Sequence, residues 1–153
     1  MMSGVPIRKI KINKLIQSEK ADAMRLVWDV FLEFEAPDYV EEGVNTFRDF
    51  INDENQINNL EIYGAYEKGN LGGLIASRNE GSHIALFFVD SKYHRQGIGQ
   101  KLFEAVLRNS ASEIFTVHSS PYAREIYHKL GFTDTDAEQT KDGIRYIPMK
   151  YQK

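Results

Sequence analysis

Cysteine is absent from the 153 residues. Disulfides, thiolate metal sites and a cysteine nucleophile are therefore excluded, as suits a reducing compartment. No stretch approaches the ~20 apolar residues of a membrane span, and the N-terminus lacks the apolar core of a signal peptide. A soluble, cytoplasmic chain that engages no membrane is expected. Basic residues form no stripe, and the formal net charge of −3 argues against nucleic acid as a partner. Repeats, low-complexity runs and linkers are missing too. What is present, 42% hydrophobic and 12% aromatic residues, is enough to build one core, so a single domain spanning 1–153 is expected.

The apolar pattern divides into elements. Pro6 to Ile12 alternates as a first strand. Ser18 offers an N-cap to a helix whose face carries Met24, Val27, Trp28 and Phe31. Val44, Phe47, Phe50 and Ile51 mark a second helix, and the polar run Asn52 to Asn59 reads as a loop. Leu60 to Glu67, Leu71 to Arg78 and His83 to Val89 follow as strands joined by short turns, which predicts an antiparallel meander. A helix with Ile98, Leu102, Phe103 and Val106 on one face should end near Asn109. Glu113 to His118 is a further strand. Ser120-Pro121 then opens a helix bearing Ala123, Ile126, Tyr127 and Leu130 and closed by Gly131. A last hairpin runs from Thr133 to Ala137 and from Ile144 to Tyr151, with Pro148 arguing against a regular final strand.

The densest chemical signal lies between the third meander strand and its helix, in His94-Arg95-Gln96-Gly97-Ile98-Gly99-Gln100-Lys101. Gly97 and Gly99 permit close approach of the backbone to a ligand. The helix starting there aims unpaired N–H groups at an anion, and Arg95 and Lys101 add positive charge. A P-loop would need Lys and Ser/Thr directly after its second glycine, where Gln100 and Lys101 stand. A dinucleotide fingerprint would need glycine at 102, which is Leu. By itself the turn is equally compatible with a glycine-softened strand-to-helix junction.

The segment His94 to Gly99 resembles the Gln/Arg-x-x-Gly-x-Gly/Ala pattern with which the GNAT superfamily of acetyl-coenzyme A-dependent N-acetyltransferases holds the coenzyme pyrophosphate; His94 departs from the usual Gln or Arg. A second segment, Ser120 to Phe132, resembles that superfamily's Asn-x-x-Ala-x-x-x-Tyr-x-x-x-Gly-Phe, with Ala123, Tyr127, Gly131 and Phe132 in register and Ser120 in place of Asn. The element order β-α-α-β-β-β-α-β-α-β-β is also that of the superfamily.

The resemblance implies an α/β (α+β) fold with a mixed, mostly antiparallel sheet flanked by helices. It implies acetyl-coenzyme A as co-substrate, with no metal, and direct transfer to an amine acceptor in a ternary complex. The pyrophosphate would lie on residues 94 to 101, the pantetheine arm on the main chain of Phe87, Phe88 and Val89, and Ser120 and Tyr127 would complete the coenzyme site. Tyr127 would be the acid that serves the leaving thiolate. Two histidines compete as base: His83, six residues before Val89 on the same strand, and His118 at the end of the next. His83, His94 and His118 show no metal-motif spacing. Glu33, Glu35 and Asp38, in the connection after the first helix, would form an acidic rim favouring a cationic acceptor; a solvated acidic loop would look the same. A non-catalytic acyl-coenzyme A sensor is the alternative function. The final hairpin offers an edge at which a homodimer could form.

Overall fold

The computed structural model describes residues 9–153. The first strand, β1, spans Ile10–Lys14, and the part of its expected span before residue 9 lies outside the described residues. Helix α1 (Gln17–Phe34) is followed by a short 3-10 turn (Ala36–Asp38) and by α2 (Glu41–Ile51) and α3 (Glu54–Asn58). The meander β2 (Glu61–Glu67), β3 (Asn70–Arg78) and β4 (His83–Val89) leads into α4 (Ile98–Asn109). The chain ends with β5 (Ile114–Ser119), α5 (Arg124–Leu130), β6 (Thr133–Asp134), β7 (Gln139–Lys141) and β8 (Ile144–Gln152). This is the expected mixed, mostly antiparallel sheet with helices on its faces, in the order β1-β2-β3-β4-β5-β8-β6, with β7 also paired to β8.

Four expectations are corrected. Ser18 does not cap α1: the cap is Ile16, whose main-chain N–H donates to the Glu19 carboxylate at 2.9 Å, so that the helix starts two residues earlier. Residues 52–59 are not merely loop. Asp53 accepts the N–H groups of Asn55 and Gln56 and starts α3, and Ile57 is buried. Lys20 of α1 fixes the far end of α3 by donating to the carbonyls of Asn58 and Leu60 at 3.1 and 2.7 Å. Ile126 is 45% exposed and not part of the core face; the regular helix begins only at Arg124, and it buries Tyr127. Finally, β8 is regular through Pro148. Its missing N–H is tolerated, and its carbonyl accepts the Thr135 N–H at 2.8 Å.

Two apolar cores lie on opposite faces of the sheet. One joins α1, α2 and α3 to the sheet through Val27, Phe31, Ile51, Ile57, Leu74, Leu86 and Phe88. The other packs α4 and α5 through Leu102, Phe103, Phe115, Tyr127, Phe132 and Met149. Between β3 and β4 the register passes from Ala76↔Leu86 to Ser77↔Ile84, which leaves Ala85 as a bulge. Next to it the sheet's parallel pair, β4 with β5, matches only His83↔Thr116 and Ile84↔Val117. Beyond Ile84 the two strands part.

One contact ties α2 to the turn between β7 and β8. Gly43 in α2 lies against Gly143 in the β7–β8 turn, backbone on backbone, and Thr46 Oγ1 donates to the Asp142 carbonyl at 2.7 Å. A Cβ on Gly43 would overlap the Gly143 carbonyl, its carbon only 2.8 Å away. Helix propensity alone would make Gly43→Ala stabilising by about 1 kcal/mol. The overlap reverses the sign, and a melting temperature lower by about 3–10 °C is expected from thermal unfolding followed by circular dichroism.

Candidate active site

A cavity of about 290 Å³ opens where β4 and β5 part. Phe31, Leu86 and Phe88 reach it from the first core and Ile84, Val117 and Tyr127 from the second. The cavity thus connects the two faces of the sheet. Past Ile84, the β5-facing edge of β4 lacks a ladder partner, so the stretch with Phe87, Phe88 and Val89 has main-chain groups available to a bound amide, the Val89 carbonyl excepted, which is taken by His94.

The glycine turn stands at the C-terminal end of β4. Gly97 has φ +75°, in the left-handed region open to glycine, and no side chain caps α4. Lys101 N–H returns to the Gly97 carbonyl at 3.1 Å, while the N–H groups before it have no intrahelical acceptor. A Cβ at Gly97 would meet nothing within 4 Å, and one at Gly99 only the Phe87 ring, at 3.5 Å. Open space before unpaired N–H groups fits a phosphate. Arg95, Gln96, Gln100 and Lys101 are exposed around the turn, and buried Ile98 anchors it. His94 acts as a strut: its Nε2–H donates to the Val89 carbonyl at 2.7 Å, and its ring lies 5.0 Å from that of Phe34.

Inside the cavity, α1 and α5 converge. The Tyr127 ring is packed edge-on by Phe87 and Phe132 at 5.8 and 5.2 Å. Its hydroxyl makes no hydrogen bond among the described residues, and burial and the negative charge of Glu35 hold its pKa above the usual phenol value. Glu35, at the end of α1, lines the same cavity. Burial pushes its carboxyl up to about 7 against the pull of a hydrogen bond with Ser120 and with a push from Asp38. Ser120 is buried, and its Oγ also accepts the Ala123 N–H at 3.1 Å. The hydroxyl that begins the α5 turn therefore also orients Glu35. Tyr39 shares this surround, and its pKa is raised chiefly by burial.

The same cavity is lined by two histidines. His83 and His118 lie edge to face with centroids 5.3 Å apart. His83 Nδ1 is 2.8 Å from Thr116 Oγ1, and His118 stacks on Tyr146 at 4.5 Å. Burial, Arg78 and His118 push His83 down to about 4; burial, Arg78 and Lys141 also lower His118.

The cavity thus unites Tyr127, His83, His118, Ser120, Phe87, Phe88 and Glu35. Glu33 and Asp38 are exposed and outside its lining. Sequence reasoning missed Arg78 and Tyr39. Arg78 had a readable signal, since it faces His83 across a tight turn, but Tyr39 reaches the cavity through the 3-10 turn, which left no periodicity to read.

A family model described as an acetyltransferase (GNAT) domain matches residues 35–153. Among solved structures, the chain is similar to a GCN5-related N-acetyltransferase from Rhodopseudomonas palustris, with TM-score 0.81 and 18% identity over 97% of this chain and 99% of that one. It is also similar to the PaiA N-acetyltransferase from Thermoplasma acidophilum in complex with coenzyme A, with TM-score 0.76 and 16% identity over 95% and 99%. A third is FeeM, an N-acyl amino acid synthase from uncultured soil microbes, with TM-score 0.69 and 16% identity over 95% and 92%. At these identities the likeness is one of fold. No curated protein matches the chain.

The Glu35 carboxyl should titrate near pH 7 in carbon-detected NMR. Because the Ser120 hydrogen bond favours the carboxylate, Ser120→Ala should move that midpoint higher.

Proposed function

The chain belongs to the GNAT acetyltransferase family, and from that membership we propose that it moves an acetyl group from acetyl-coenzyme A to a primary amine by direct transfer in a ternary complex. One observation carries this reading: the Glu35 carboxyl and the Tyr127 hydroxyl enter a single cavity alongside the free edge of β4. When bound, the coenzyme supplies a thioester as electrophile. The turn from His94 to Lys101 would hold its pyrophosphate, and the main chain of Phe87, Phe88 and Val89 its pantetheine amides. N–H groups on that edge also stabilise negative charge developing on a carbonyl oxygen.

Glu35 takes the base role. An ammonium ion cannot attack, and a carboxylate with pKa about 7 is ionised above neutrality yet basic enough to receive the proton. His83, held near 4, is a much weaker base. It and His118 serve as neutral polar lining. Burial keeps Tyr127 protonated, so its hydroxyl remains a hydrogen-bond donor for the departing sulfur. The raised pKa opposes full ionisation, and stabilisation of the thiolate by hydrogen bonding is the larger part of its role.

Calorimetric titration with acetyl-coenzyme A, followed by thiol release over a panel of amines, tests the reading. Binding with amine-dependent release supports it, whereas binding with no release from any amine would favour the sensor. The kcat of the wild type should rise with pH through a midpoint near 7 and then level off. Glu35→Gln should lower kcat by about 100-fold or more and abolish that limb. Tyr127→Phe should lower kcat by about tenfold or more while coenzyme affinity in calorimetry stays near that of the wild type.

A further inference from the structure

The cavity that contains Glu35 is electrically divided. Glu35 is its one carboxylate among the described residues, and Arg78 its one permanently charged cation. Aromatic walls, including Phe31, Phe47 and Phe88, line the space around them. Two other arginines are committed: Arg145 donates to Glu138 at 2.9 Å and Arg124 to Asp134 at 2.6 Å. The Arg78 guanidinium makes no hydrogen bond or ion pair with any described residue. It is directly opposite His83 in the β3–β4 ladder, and His83 is opposite Thr116 in β5, so all three project from one side of the sheet. His118 follows two residues after Thr116 on that same side, with Lys141 near enough to act on it electrostatically.

From this arrangement we propose that the acceptor is an amine that also carries a carboxylate on an apolar or aromatic body, an α-amino acid in class, with the carboxylate received by Arg78. The inference rests on the acetyl-transfer reading and adds the acceptor to it. A guanidinium offers paired donors matched to a carboxylate, and the two histidines beside it add uncharged polar groups. The aromatic walls suit an apolar side chain. A polyamine or lysine side chain would instead bring a second cation toward Arg78 and Lys141, and like-charge approach disfavours it. Bound carboxylate would also offset the positive field that lowers the two histidines, raising both midpoints.

The test compares L-phenylalanine and L-leucine with their decarboxylated amines, with O-phosphoethanolamine and with spermidine, in thiol release by the full chain. The amino acids should exceed the corresponding amines by about 10- to 100-fold in kcat/KM. Arg78→Met should remove that advantage and Arg78→Lys restore part of it. A second measurement needs no turnover: N-acetyl-L-phenylalanine should shift the imidazole resonances of His83 and His118 and raise their midpoints in the wild type but not in Arg78→Met.

Turnover in which the decarboxylated amines or spermidine match the amino acids would overturn the acceptor class and leave acetyl transfer standing. Preference for the phosphorylated amine would likewise overturn the carboxylate assignment. Acetyl-coenzyme A binding without release from any amine would overturn the acetyl-transfer reading itself, and the acceptor with it.

Discussion

The site depends on how little of β5 is hydrogen-bonded to β4. Two matched pairs hold the parallel ladder, and then the Ala85 bulge bends β4 while β5 continues along β8. A longer ladder would have satisfied more main-chain groups and sealed the sheet. Its interruption leaves polar backbone exposed to a cavity bounded by aromatic rings, an arrangement that is costly without a partner. That cost is tolerable because β4 is paired to β3 along its other edge except at Ala85, and both faces are covered by cores. The gap is also why residues of opposite cores, Phe31 and Tyr127, border one space.

Within that space, proton affinities are set more by surroundings than by residue type. The carboxyl group of Glu35 and the imidazole of His83 reverse their ordinary order, the acid rising to about 7 and the imidazole falling to about 4. Burial acts on both against the charged form, which for one is the deprotonated state and for the other the protonated state. Arg78 adds to the second effect. A histidine placed by sequence where a base is wanted thus becomes a neutral group, and an acid placed at the rim becomes the stronger base.

Most of the architecture was legible because it follows from periodicity. The bounds of β4 and α4 follow from alternation and from the 3.6-residue stripe, and the two glycine-bearing motifs identify the family. What escaped had no repeating pattern. In α3 a single buried residue, Ile57, leaves too little signal for a helix, and the segment is secured from outside by Lys20. The start of α1 is set by a main-chain N–H reaching Glu19, which no side chain at the cap announces. In the site, Tyr127 and Ser120 could be read from motif spacing. The place of Glu35 as against Glu33 and Asp38 could not, since it depends on where the end of α1 meets the start of α5. The same holds for the joint field of Arg78 and Lys141, which belong to separate hairpins.

The paired glycines at 43 and 143 also bear on how this protein can diversify. They couple α2, which carries Phe47 and Phe50 into the cavity, to the turn preceding Ile144, another of its walls. Every glycine codon is one nucleotide from alanine and from valine, so a single base change at either position suffices to move two walls of the cavity apart. The shape of the cavity therefore lies within one mutational step of change at two residues that do not line it.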